Sequence, residues 1–180
     1  MSARPCALAL TVLGIFGRLS PHPENFTPIG AAALFAGARL RGWQAWIVPL
    51  AAMTISNPLV GVIYGRQPFS RLTPAIYASL LVYVWLGRLL RATESPLRLG
   101  AAAFAGSLQF FLVTNFFVWL GSRFYAQTWA GLAACYTAAL PFFGRSLAGD
   151  LVFTAVLFGL HAWASRAVFH AERVTVAPAL

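Results

Sequence analysis

The chain has 180 residues, 59% of them hydrophobic and 9% charged, with a mean hydropathy of +0.73. That leaves too little polar surface to cover a water-soluble globule, so the composition places the chain in a bilayer. A formal net charge of +9 does not make it a nucleic-acid binder, because its arginines stand singly between apolar runs instead of gathering on one basic face.

In chain order, MSARPCALALTVLGIFGRLSP has the basic start and apolar core of a signal peptide, but no clear small-x-small cleavage site precedes Ser20. Pro5 to Leu19 is read as a first, short transmembrane helix. Ser20 to Pro28, SPHPENFTP, follows as a loop. Its three prolines remove backbone donors and bar a helix, and it carries His22, Glu24 and Asn25 beside two apolar segments. Asn25 and Thr27 are placed to cap the next helix. A second reading makes the segment a loop that closes over or ligates a solute. Ile29 to Leu40 is short and small-sided, with Ala32, Ala33, Ala36 and Gly37 suited to close helix packing.

Gly42 to Tyr64 is long enough to cross a bilayer, with Trp43 and Trp46 suited to the interface. Pro49 and Pro58 each free a carbonyl that Ser56 or Asn57 can satisfy, unless those two face a cavity. Gly65 to Pro74 is a polar connection. Ala75 to Leu90 is a fourth span, and Gly87 to Arg98 is a basic loop with Arg88, Arg91 and Arg98 against Glu94. Leu99 to Gly121 is a fifth span, ending in LQFFLVTNFFVWL, where Gln109, Thr114 and Asn115 interrupt an apolar run. Polar groups inside a span mark a functional surface by default. Ser122 to Gly149 mixes aromatics with hydroxyls and is expected to break at Pro141 and Gly144, as an interfacial or partly re-entrant segment. Asp150 then opens a sixth span, Leu151 to Phe169.

Residues 1–180 thus read as one all-α transmembrane domain, a six-helix bundle with both termini on one side. Placing that side in the cytoplasm puts Arg4, Arg39, Arg41, Arg88, Arg91, Arg98, Arg166 and Arg173 inside, and Arg18, Arg66, Arg71, Arg123 and Arg145 outside, the sign expected of an inner-membrane protein. Asn57, Asn115, His22 and Asp150 then converge toward the outer face beside the aromatic segment, as an outward-facing pocket with lid-like loops. Cys6 and Cys135 form no metal-ligand spacing.

There is no Walker A sequence, so the chain does not hydrolyse ATP by P-loop chemistry, and no GxSxG, HExxH or paired-carboxylate motif. No resident cofactor is expected. Two other classes remain beside solute capture. One is a membrane enzyme using His22 and Asp150 as an acid/base pair, if folding joins them. The other is an assembly protein whose amides only hold helices together.

SPHPENFTPIGAAALFAGA, the VPLAAM before Ser56, FFLVTNFFVWL and ACYTAALPFFGRSLAGDLVFTAVLFG together resemble a family of small bacterial membrane proteins similar to the substrate-binding S-components of energy-coupling-factor vitamin transporters. The resemblance covers about Arg18 to Leu160 and rests on the order of the motifs. It implies an S-component-like bundle that binds a vitamin or similar small solute near its outer face, with a separate membrane scaffold and ATPases as partners. Relatives of that kind include solitary cobalamin-uptake proteins, in some of which a cysteine thiolate ligates cobalt. For that role the candidates are Cys135 and His22. Where such proteins read Ser-Asp, this chain has Ser56 and Asn57, one carboxylate fewer. The expected pocket is His22, Asn25, Asn57, Asn115, Trp119, Tyr125, Tyr136 and Asp150, with amides and the carboxylate on polar groups and aromatics on an apolar ring.

Overall fold

The computed structural model describes residues 4–91, 93 and 95–176, with side chains over 5–91, 93 and 95–167. Glu94 lies outside the described residues, as do the side chains of Arg4, Glu172 and Arg173. The described chain is helical: α1 (Arg4–Phe16), extended by a 3₁₀ turn at Gly17–Leu19, then α2 (Ile29–Arg39), α3 (Gln44–Tyr64), α4 (Thr73–Leu89), α5 (Pro96–Gly121) and α6 (Trp129–Val176). Pro74 and Pro96 fall in the first turns of α4 and α5, where a missing N–H costs no helical bond. The helices alternate in direction. One end of the bundle carries the connections around 20–28, 65–72 and 122–128. The other carries those around 40–43 and 90–95, where Arg88 and Arg91 reach the Gly42 and Leu40 carbonyls. These are called the cleft end and the arginine end.

Among the described residues three helices, α3, α5 and Trp129–Ala167 of α6, are long and apolar enough to cross a membrane. By length alone α2 is not: eleven residues rise only about 16 Å, half of a hydrocarbon core. Every residue from Gly30 to Ala38 is buried, because α2 is the hub on which α1, α3, α4, α5 and α6 all pack. Its small residues make that possible. At the crossing with α4, Gly37 and Gly87 lie Cα against Cα, and a methyl on Gly37 would run into the Val84 carbonyl. Farther along, Phe35 meets Phe158 edge-on, with ring centroids 5.1 Å apart.

A helix that begins inside the bundle leaves its first amides without intrahelical partners. Asn25 and Thr27 do not supply them, contrary to the capping expected: the N-cap is Pro28 and no side chain of the loop caps the helix. The Ala31 amide instead donates to the carboxylate of Asp150, across from α6. Irregular backbone therefore enters the bundle at 20–28, not between α5 and α6. There Pro23 to Phe26 make a turn with Asn25 at φ 65°, a left-handed conformation asparagine tolerates, and Phe26 and Thr27 lie on Gly149.

The segment expected to break or re-enter does neither. Only 122–128 is non-helical, and α6 runs unbroken from Trp129 through Pro141, Gly144 and Asp150. Proline deletes one helical bond, whereas ending and restarting a helix would orphan about four N–H and four C=O groups, which an apolar environment penalises far more. Asp150 accordingly sits in mid-helix and Arg145 in α6, not in a connection.

Candidate functional site

Three adjoining cavities open toward the cleft end and share Asn25, Ile76, Phe110 and Ser146 in their walls. The first, about 60 Å³, is the floor, where Tyr83, Gly30 and Asp150 meet. The second, about 340 Å³, is lined by charged and polar groups: Arg18, His22, Glu24, Thr27, Tyr64 and Arg66. The third, about 420 Å³, is aromatic, lying between α5 and α6 with Phe110, Phe111, Phe142 and Phe143, and with Thr114 and Asn115 on one side. Asn25 stands at the junction, held there by the turn.

The floor is built around Asp150, 4% exposed. Its Oδ2 accepts from the Ser107 hydroxyl of α5 at 2.6 Å and from the Tyr83 hydroxyl of α4, while Ala31 of α2 donates from the backbone. One carboxylate thus joins four helices. Glycines make room for it: a methyl on Gly106 would strike the Tyr83 ring, and one on Gly30 would strike both Tyr83 and Asp150. An ionisable side chain buried among apolar helices is tolerated only when its lone pairs are met, as they are here.

In the polar chamber, Arg18 follows directly on α1. Its Nη1 donates to Asn57 Oδ1 at 2.8 Å and Ser56 Oγ at 3.4 Å and touches the Met53 sulfur. Asn57 in turn donates to Tyr77, whose hydroxyl also meets Thr54 at 2.9 Å. Ser56 donates to the Met53 carbonyl. α3 runs through Pro49 and Pro58 without interruption. At the mouth, exposed Glu24 pairs with Arg66.

The sequence-expected residues divide into two groups. His22, Asn25, Asn115 and Asp150 lie on the walls of the connected cavities, and Asn57 stands behind Arg18. His22 and Asp150 make no hydrogen bond to each other. His22 Nδ1 meets the Ser20 carbonyl, and Asp150 is taken by Tyr83, Ser107 and Ala31. The rest lie where α5 meets α6 and the connection between them. Tyr136 donates to the Leu112 carbonyl at 2.7 Å, Trp119 to Ala126 at 2.8 Å, and buried Cys135 directs its thiol to the Asn115 carbonyl at 3.6 Å. Tyr125 lies half-buried in the 122–128 connection. Within α5 itself, Thr114 and Asn115 bond the Phe110 and Phe111 carbonyls one turn back, while Gln109 donates to Ser79 of α4. Among the described residues, no three His, Cys, Asp or Glu side chains gather as a metal site.

The family model for DUF6580, a family of unknown function, matches residues 2–175, almost the whole chain. The chain belongs to DUF6580. No curated protein and no solved structure matches it. In this DUF6580 chain the residues that reading the sequence missed are Arg18, Tyr83 and Ser107. Arg18 counted only as a charge beside the loop, although an arginine in the last turn of an apolar helix was itself a signal. Ser107 and Tyr83 carry no local sign of their role, which depends on a carboxylate far along the chain.

Proposed function

We propose that this protein captures a small, ring-bearing solute from the outer side of a bacterial inner membrane, as the substrate-binding part of an uptake system. The observation that carries the reading is the pairing of a polar chamber with an aromatic one across Asn25. Each has the size of a ligand pocket, and apolar walls with a few convergent polar groups are the usual make-up of such sites. An aromatic ring fits against Phe110 and Phe111, and polar substituents reach the chamber of Arg18 and His22. A corrinoid is far larger than either chamber and Cys135 faces the α5–α6 seam, so the geometry favours a smaller vitamin-like solute over cobalamin.

The bundle in this reading has six membrane-embedded helices, with α2 wholly enclosed. Arg39, Arg41, Arg88, Arg91 and Arg98 cluster at the arginine end, which by charge bias faces the cytoplasm together with both termini. The cleft then opens outward. A separate scaffold with ATPases would supply energy, since no P-loop is present in the chain.

The test is native mass spectrometry of protein purified in mild detergent and offered a panel of ring-bearing vitamins, beside the variant Ser146→Trp. Ser146 touches all three cavities and none of the bonds to Asp150, so a tryptophan there fills the cleft. A solute adduct on the wild type that is lost in Ser146→Trp is expected. A panel that gives no adduct, or one that Ser146→Trp binds equally well, overturns capture in this cleft.

A further inference from the structure

The polar chamber holds a positive charge that the protein itself leaves unneutralised. Among the described residues, every hydrogen bond of the Arg18 guanidinium runs through Nη1, and its acceptors are neutral: an amide, a hydroxyl and a thioether. Among the described residues no carboxylate pairs with it. Glu24 is committed to Arg66 at the mouth, and Asp150 is enclosed by hydroxyls and a backbone amide on the floor. Arg18 is half-buried, and taking a guanidinium out of water without a counter-charge is costly. The three acceptors orient the group and, among the described residues, leave Nε and Nη2 without protein partners beside a cavity of about 340 Å³. A planar fork of free N–H donors matches the two oxygens of a carboxylate or phosphate.

We propose that Arg18 is the anchor for an oxyanion on the solute, so that the captured molecule is a small ring-bearing carboxylate or phosphate monoester. This rests on the capture reading and narrows it. Asn57 sets the charge of the site: its Oδ1 holds Nη1 at 2.8 Å as a neutral acceptor, so Arg18 stays available to a ligand. An aspartate there, of nearly the same shape, would pair with Arg18 internally and repel an incoming anion.

The experiment offers purified protein in detergent three fractions of a bacterial small-molecule extract: the aqueous fraction retained on an anion exchanger, the aqueous fraction not retained, and the organic-phase lipid fraction. Native mass spectrometry reads the adduct, and titration with the anion-exchange fraction gives relative affinity. Wild type and Arg123→Gln, changed at an exposed connection away from the cavities, are expected to take an adduct from the retained fraction alone. Asn57→Asp should lose roughly 30-fold or more in affinity, as setting a like charge against a bound anion does. Arg18→Gln should lose a similar amount, and Arg18→Lys, which keeps charge without the fork, should fall between. Far-UV circular dichroism and monodisperse elution establish that Asn57→Asp is folded, and Arg18→Lys supplies an independent reading. An adduct from the unretained fraction, or one that survives both Asn57→Asp and Arg18→Gln, overturns the anion while leaving capture standing. An adduct of phospholipid mass only, from the organic phase, also overturns it. No adduct from any fraction removes both readings.

Discussion

Asp150→Ala removes one acceptor and strands three donors: the Tyr83 and Ser107 hydroxyls and the Ala31 amide. A hydrogen bond between helices in a bilayer is worth about 0.6 kcal/mol on average and up to about 1.7, because the unfolded chain in lipid also finds partners. Burial to 4% exposure, where water does not compete, places these bonds toward the upper figure. Three of them together give roughly 2–5 kcal/mol, a large share of the ~5–15 kcal/mol that holds a typical domain together. Tyr83→Phe removes one of the three and should cost about 1–2 kcal/mol. The assay is reversible unfolding in mixed micelles by added denaturing detergent, followed by far-UV circular dichroism and tryptophan fluorescence. In the double variant the acceptor is already gone, so Tyr83→Phe should cost close to nothing further. If Tyr83→Phe costs the same in both backgrounds, or if Asp150→Ala unfolds at the wild-type midpoint, the carboxylate is not what joins the four helices.

Three further outcomes follow from the packing. Gly37→Leu should prevent recovery of a monodisperse folded protein, because even a methyl there meets the Val84 carbonyl; size-exclusion elution beside wild type checks it. Thr154→Val should leave stability unchanged or raise it by up to about 1–3 kcal/mol, since the buried Thr154 hydroxyl has no hydrogen-bond partner among the described residues; a lowered unfolding midpoint would contradict this. Cys135, 2% exposed and turned toward the Asn115 carbonyl, should resist maleimide in the folded protein while half-buried Cys6 reacts, and should label only after denaturation. Mass spectrometry of the labelled peptides tells the two apart.

Helix positions were readable because each apolar run is bounded by prolines, glycines or arginines, and the ends of α2, α3, α4 and α5 fall within a few residues of the expected ones. Small residues marked α2 as a helix packed among others, and it proves to be the buried hub. Continuity through Pro141 was not readable, because local propensity registers the lost bond and not the larger penalty of two new helix ends in an apolar environment. In the site, polar residues inside apolar runs pointed to Asn57 and Asn115, and a place at the outer start of the sixth span pointed to Asp150. Pattern alone could not tell an amide that faces a cavity from one that bonds its own helix, as Asn115 does through Phe111. Nor could it join Arg18 to Asn57, a meeting set by how α1 lies on α3.

The amide–carboxylate contact between Ala31 and Asp150 also sets an order of assembly. During synthesis the second helix emerges early, too short to cross a bilayer by itself and with the Ala31 amide in its first turn unmet. The group that meets it belongs to α6, about 120 residues later. Until that helix arrives, the centre of the bundle must borrow water or lipid headgroups for its open end. The hub of the fold is thus the element finished last, and a chain truncated before α6 would lack not a peripheral helix but the closure of its own core.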